Sequence, residues 1–264
     1  MFVYRGSTAL ITGASRGLGK VFAQTLAARG MNLVLVARSG DALEALATDL
    51  AGRYGVKSIA LSADLGDPNA VERIAEELKR RGVQVDLLIN NAGLGLTGSF
   101  FSHDLRKKQS EIQVNVHALT ALSHVFGGGM AKRGSGGIIN LASNASFQPL
   151  PYMATYAATK AFVLSFSEAL QFEIASAGVH VMAACPGPTA TSFFDGVSTN
   201  VSSKDMDSSE SVVQKTLKAF DQKKAVVYPG RTSVRVATLL PRLLPRALVV
   251  RLAAMASGKM GLHG

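Results

Sequence analysis

The chain of 264 residues has a single cysteine, Cys185. One thiol forms no internal disulfide, which fits a reducing compartment, and beside Pro186 it reads as a small buried hydrophobe. Long apolar runs are missing too: none approaches the roughly 20 residues that a bilayer-spanning helix needs. The first residues, Met1-Phe2-Val3-Tyr4-Arg5, lead almost at once into a strand and leave no room for a signal peptide. The expected location is cytoplasmic. His103, His117 and His124 have neither cysteines nor paired carboxylates at ligand spacing, so they read as structural and no metal site is expected. Acid is absent from residues 222–264, which hold eight Lys/Arg and no Asp or Glu. This tail therefore supplies +8 of the formal net charge of +10. Aromatic residues are absent from Pro229 onward, so nothing there stacks on bases, and nucleic-acid binding is not expected.

What is present is an apolar, weakly charged chain, 47% hydrophobic and 17% charged, long enough to bury a substantial core. Ser7 to Thr12 is a short apolar run. It is followed by Gly13-Ala14-Ser15-Arg16-Gly17-Leu18-Gly19 and a helical pattern from Lys20 to Arg29. Strand, glycine turn and helix together suit a dinucleotide. Gly13 permits a tight turn, Gly17 lets backbone approach a pyrophosphate, and Gly19 lets the helix close on the strand. A second, continuously apolar strand from Asn32 ends at Arg38-Ser39. An acid at this place would bind a ribose 2′-hydroxyl; Arg38 with Arg16 nearby suits a 2′-phosphate, hence NADP(H).

The alternation continues. Asp41 to Tyr54 reads as helix, Lys57 to Ala63 as strand, Pro68 to Arg81 as helix and Val85 to Ile89 as strand. This order implies a doubly wound parallel sheet with right-handed crossovers, one α/β domain. Asp64, with Leu65 beside it, follows the third strand, where its carboxylate can meet an adenine amino group. Asn90-Asn91-Ala92-Gly93 ends the fourth strand, at the ligand-binding carboxyl edge. Asp104 to Lys132 reads as one long helix carrying Asn115, with a break or frayed end expected at Gly127-Gly128-Gly129. A fifth strand, Gly137 to Ala142, stops at Ser143, and a sixth, Val179 to Ala184, runs into Cys185-Pro186-Gly187-Pro188-Thr189-Ala190-Thr191. The polar stretch Ser192 to Ser209 suggests a lid.

Between those strands lies Thr155-Tyr156-Ala157-Ala158-Thr159-Lys160, leading into an apolar helical segment, Ala161 to Ala175. On a helix, i and i+4 share a face, so the phenol and the ammonium point into one cleft. A cation nearby favours the phenolate. Bringing a tyrosine from about 10 to neutrality takes about 4 kcal/mol, and Lys160 helped by a cationic cofactor ring is the expected source. The pair could then give a proton to a carbonyl or take one from an alcohol.

Together these residues resemble the short-chain dehydrogenase/reductase family over roughly residues 7–230. The matching motifs are T-G-x-x-x-G-x-G at Thr12 to Gly19, N-N-A-G at Asn90 to Gly93, Asn115, Ser143, Y-x-x-x-K at Tyr156 to Lys160, and P-G-x-x-x-T at Pro186 to Thr191. The resemblance implies a single Rossmann-type domain of about seven parallel strands with helices on both faces. It implies an oxidoreductase acting on CH–OH donors with NADP(H). Tyr156 would be the acid/base. Lys160 would lower its pKa and bind the nicotinamide ribose. Ser143 would bond the reacting carbonyl, and Asn115 would hold a relay water. Gly13, Ser15, Arg16, Gly17, Leu18 and Gly19 would surround the pyrophosphate and ribose phosphate with Arg38. Asp64, Leu65, Asn91, Ala92 and Gly93 would meet the adenosine half, and Pro186, Gly187, Thr189 and Thr191 the nicotinamide or diphosphate. Relatives are often homodimers or homotetramers. The run Arg29 to Ser39 resembles the branch holding long-chain 3-oxoacyl-thioester reductases and 17β-hydroxysteroid dehydrogenases, which implies an apolar small-molecule carbonyl or alcohol as substrate. The Gly127–Gly129 run departs from the family pattern.

Residues 1–230 thus form the expected catalytic domain, with 192–209 as lid, and 231–264 a basic, apolar extension. That extension has three readings: a segment lying peripherally on anionic lipid, a flap over substrate or a second subunit, or solvated terminal helices. Two other functions share the fold, a non-catalytic NADP(H) sensor or scaffold and an epimerase or dehydratase. Intact Tyr156, Lys160 and Ser143 disfavour the first, and the glycine spacing and short substrate region disfavour the second.

Overall fold

The structure is a computed structural model that describes residues 2–191, 193, 200 and 202–262. Seven parallel strands form its sheet: β1 (Thr8–Thr12), β2 (Asn32–Ala37), β3 (Ser58–Ser62), β4 (Leu87–Asn90), β5 (Gly136–Leu141), β6 (Val179–Ala184) and β7 (Val226–Val227). Their order is β3-β2-β1-β4-β5-β6-β7, the doubly wound arrangement expected from the alternation. Successive side chains leave a strand on opposite faces. Ala9, Ile11, Leu33, Leu35, Ile89 and Ile139 therefore join one core and Leu10, Val34, Val36, Leu88 and Ile138 the other. The first core is closed by α1 (Gly17–Ala28), α2 (Gly40–Tyr54) and α7 (Ser209–Asp221), through Phe22, Leu43 and Phe220 among others. The second is closed by α3 (Ala70–Arg80) and α5 (Leu119–Arg133), through Ile74, Leu78 and Leu122. Cover on both faces explains the unbroken apolar strands.

The long helix differs from expectation. It consists of α4 (Leu105–Ile112), a π-helical segment Gln113–Ala118 holding Asn115, and α5. The irregularity thus falls at Asn115, and Gly127–Gly129 lie unbroken within α5, which ends at Gly134 in the left-handed region. Packing explains the first of them: a Cβ on Gly127 would come within 3.0 Å of Ile138 Cδ1. Glycine at 127 lets α5 close on β5, whereas a Cβ on Gly128 would meet nothing within 4 Å, so this contact accounts for one glycine of the three.

α6 (Ala154–Ile174) starts seven residues before the expected apolar segment, so Tyr156 and Lys160 are one turn apart within it. Past β6, only Phe193, Asn200 and residues 202–209 of the expected lid are described, and the rest of that lid lies outside the described residues. The extension forms three short helices, α8 (Thr232–Ala237), α9 (Leu240–Leu243) and α10 (Arg246–Lys259). No helix among the described residues is long and apolar enough to cross a membrane.

Candidate active site

The strand order reverses between β1 and β4, and the loops leaving them meet at the carboxyl edge. Thr12 Oγ1 accepts hydrogen bonds from Asn91 N and Ala92 N, both at 3.0 Å, and Asn91 Nδ2 donates to Thr12 O at 2.8 Å. The Asn91 side-chain amide thus holds the glycine turn, and the residue also lines the cavity of the site. Gly13 and Gly17 have φ of +65° and +54°. A Cβ on Gly19 would collide with Gly13 O and lie 2.6 Å from Asn91 Nδ2, so only glycine fits. No side chain caps the start of α1, which leaves its first N–H groups facing the cavity beside the turn.

All the sequence-predicted site residues except Gly19 and Asn115 line one cavity of about 710 Å³. At one end are Arg16 and Arg38, exposed and, among the described residues, in no ion pair. Asp64 also faces it, with Oδ1 accepting from Gly66 N at 2.9 Å. Tyr156, Lys160 and Ser143 line the other end.

Lys160 is buried, and its Nζ donates to Leu141 O at 2.7 Å. Burial pulls it down to about 8, opposed by the nearby Cys185 and Glu111. Its Nζ lies 5.8 Å from the centre of the Tyr156 ring. For the chain alone, the Tyr156 phenol lies above its ordinary value. Burial pushes the phenol up to about 12; the hydrogen bond with Ser143 pulls the other way, and the charge of Glu111 adds to the rise. Ser143 Oγ accepts from Ala145 N at 3.1 Å, and Ser146 Oγ donates to Lys160 O at 2.8 Å, pinning the end of β5 to α6.

Asn115 is not in the cavity wall. Its Oδ1 accepts from Leu94 N and its Nδ2 donates to Leu94 O, both at 2.8 Å, and Nδ2 also reaches Thr159 Oγ1 at 3.0 Å. The side-chain amide of Asn115 thus clamps the loop after β4 and the turn at Thr159. Asn115 Oδ1 and Lys160 Nζ each lie 3.4 Å from where a Cβ on Gly93 would sit, so both side chains border that glycine.

Other residues of the site were not foreseen. Glu111, one turn before Asn115, is fully buried and accepts from Leu96 N at 3.3 Å. The Phe193 ring stands over Tyr156, with centres 5.5 Å apart. The extension adds an apolar wall, with Pro241, Leu244, Leu252, Ala253, Met260 and Leu262 lining the cavity. Cys185 is buried as expected, its thiol pushed up to about 12, and no cluster of metal-ligating side chains occurs among the described residues.

Residues 7–202 match the sequence model of the short chain dehydrogenases. The chain belongs to that family. This short-chain dehydrogenase is 38% identical over 186 residues to a very-long-chain 3-oxoacyl-CoA reductase of Phaeosphaeria nodorum, a match covering 67% of this chain and 53% of the relative. It is 34% identical over 190 residues to human inactive hydroxysteroid dehydrogenase-like protein 1, covering 71% and 57%. The chain thus spans little more than half the length of these relatives. A short-chain dehydrogenase from Sphingobium yanoikuyae solved in complex with NADPH superposes with a TM-score of 0.82 at 34% identity, over 90% of this chain and 93% of that one.

Proposed function

We propose that this short-chain dehydrogenase is an NADP(H)-dependent oxidoreductase that reduces an apolar ketone or 3-oxoacyl group to a secondary alcohol, or catalyses the reverse. The observation that carries the reading is that one cavity holds Arg16 and Arg38 at one end and Tyr156, Lys160 and Ser143 at the other. The glycine cradle, the uncapped start of α1 and the two arginines, in no ion pair among the described residues, fit a dinucleotide with a 2′-phosphate. When bound, the nicotinamide supplies or accepts the hydride. Tyr156 Oη gives its proton to the carbonyl oxygen as that oxygen gains charge. Raised to about 12, the phenol is protonated at neutral pH and has a proton to give. Ser143 Oγ donates a hydrogen bond to the same oxygen. Lys160 holds the local positive charge behind them, anchored on Leu141.

The apolar side of the cavity supports an apolar substrate. A hydrophobic wall from Leu150, Met153, Phe193 and the extension offers no charged group to bind an anionic one. The second reading, cofactor binding without turnover, is supported by the human relative that is named inactive. NADPH oxidation separates the two, measured with ketones and 3-oxoacyl thioesters graded by chain length and ring size. Stoichiometric consumption that rises with apolar bulk supports the proposal. Tight NADPH binding with no turnover across the panel favours the second reading.

A further inference from the structure

Glu111 is a buried carboxyl that the proposed chemistry does not use. Its helix, α4, reads as polar, Leu105-Arg-Lys-Lys-Gln-Ser-Glu-Ile112, yet this acid has no exposed surface. Its Oε1 accepts from Leu96 N at 3.3 Å, one turn before Asn115 takes Leu94 N, so two side chains on one face grip alternate N–H groups of the loop after β4. Its Oε2 is buried with no hydrogen-bond partner, and among the described residues no cation stands within ion-pair distance. A neutral acceptor such as glutamine would hold Leu96 equally well. An unpartnered buried carboxyl oxygen therefore calls for a reason beyond holding the loop.

α4 packs against α6, which carries Tyr156 and Lys160. We infer that Glu111 is a positioning residue for this pair, acting through its charge: its ionisation sets how firmly Tyr156 and Lys160 hold their protons. The inference rests on the reading of Tyr156 and Lys160 as the catalytic pair.

The groups that face Glu111 are few. Lys108 lies one turn back on α4 and is itself buried, with its Nζ 4.5 Å from the centre of the Phe100 ring. Tyr156 and Lys160 approach from α6 across the loop that Glu111 grips: a Cβ on Gly93 would lie 3.4 Å from Lys160 Nζ and one on Gly95 3.2 Å from Tyr156 Cδ2, next to the Leu96 N–H that Glu111 accepts. The loop Leu94–Ser99 carries no ionisable side chain, His103 bonds to Thr97 O at 2.7 Å, and His117 of the π-helical segment is exposed. Burial raises Glu111 to about 7, against the pull of Lys108 and Lys160. The carboxyl therefore changes charge close to neutrality. Once ionised, it raises the proton affinity of both Tyr156 and Lys160, the sign expected of an anion near either group. As pH rises through neutrality, Glu111 thus holds the amine cationic to higher pH and tightens the phenol's hold on its proton.

The test uses the full chain labelled with 13C at tyrosine Cζ and titrated by NMR from pH 5.5 to 9 without substrate. Tyr156 is assigned by its loss in Tyr156→Phe. The wild-type Tyr156 resonance should show a step centred near pH 7. Glu111→Gln keeps the acceptor for Leu96 and should abolish the step; should that variant not fold, Glu111→Asp, which draws the charge back, should reduce it. A flat wild-type resonance, or a step that survives Glu111→Gln, overturns the proposal. The second arm is the pH profile of kcat/KM for NADPH-dependent reduction of one ketone. Glu111→Gln should lose the inflection near neutrality and begin its alkaline decline at lower pH; an unchanged profile overturns the proposal. A Tyr156→Phe enzyme that still turns over overturns the catalytic reading instead, and the resonance then decides the coupling on its own.

Discussion

Lys160 Nζ donates a 2.7 Å hydrogen bond to the carbonyl of Leu141, the last residue of β5, two positions before Ser143. The amine is thereby fixed relative to the strand end that presents the serine, and burial has already pulled it down to about 8.

Replacing it tests whether its charge is needed. Lys160→Met keeps much of the buried stem and removes the donor and the cation. The expected outcome is a fall in kcat of about 10²-fold or more, with weaker NADPH binding, read from steady-state rates and fluorescence titration. Lys160→Arg should not restore the rate, because a planar guanidinium does not fit a site built round one ammonium.

Cofactor choice tests the opposite end of the cavity. Arg16 and Arg38 are exposed side chains that line it. A charge-assisted hydrogen bond contributes about 1.5–3 kcal/mol, so each arginine on a 2′-phosphate is worth roughly ten- to a hundredfold in affinity. The double change Arg16→Gln, Arg38→Gln should cut the ratio of NADPH to NADH affinity about a hundredfold or more while leaving NADH binding nearly unaltered. Equal losses for both nucleotides would remove the phosphate from the account.

Much of this was legible in the sequence, for identifiable reasons. β6 runs from Val179 to Ala184 as read, because a parallel strand covered on both faces is apolar throughout. Tyr156 and Lys160 reach one cavity because helix periodicity alone dictates it. What escaped depends on partners distant in sequence. The π-helical segment at Asn115 and the glycine at 127 follow from packing against the loop after β4 and against Ile138. Asn91 and Asn115 match their motifs, yet nothing local says that their amides donate to backbone carbonyls of Thr12 and Leu94. Glu111 stands in a run of polar residues where no spacing marks the one that turns inward. The S-x-x-S spacing of Ser143 and Ser146 was a readable signal, since it is the capping pattern that the structure uses.

Buried Glu111 also gives a stability test. Its folded carboxyl holds its proton up to about 7 instead of the ordinary 4.5. The folded state thus binds more protons than the unfolded chain between those values, and stability falls as pH rises across that window. Removing the carboxyl removes the penalty. Glu111→Gln should be more stable than wild type at pH 8 by on the order of 1–3 kcal/mol, with the gain fading towards pH 4.5. Urea unfolding of both proteins at the two pH values checks this, and a gain that is equal at both would contradict it.

The most direct measurement concerns Tyr156 itself. Tyr156→Phe removes one oxygen and leaves the ring beneath Phe193. With NADPH and the best ketone of a graded panel, kcat should fall by about 10²- to 10⁴-fold while the dissociation constant for NADPH changes less than severalfold. Turnover that survives the loss of the phenol would contradict the account.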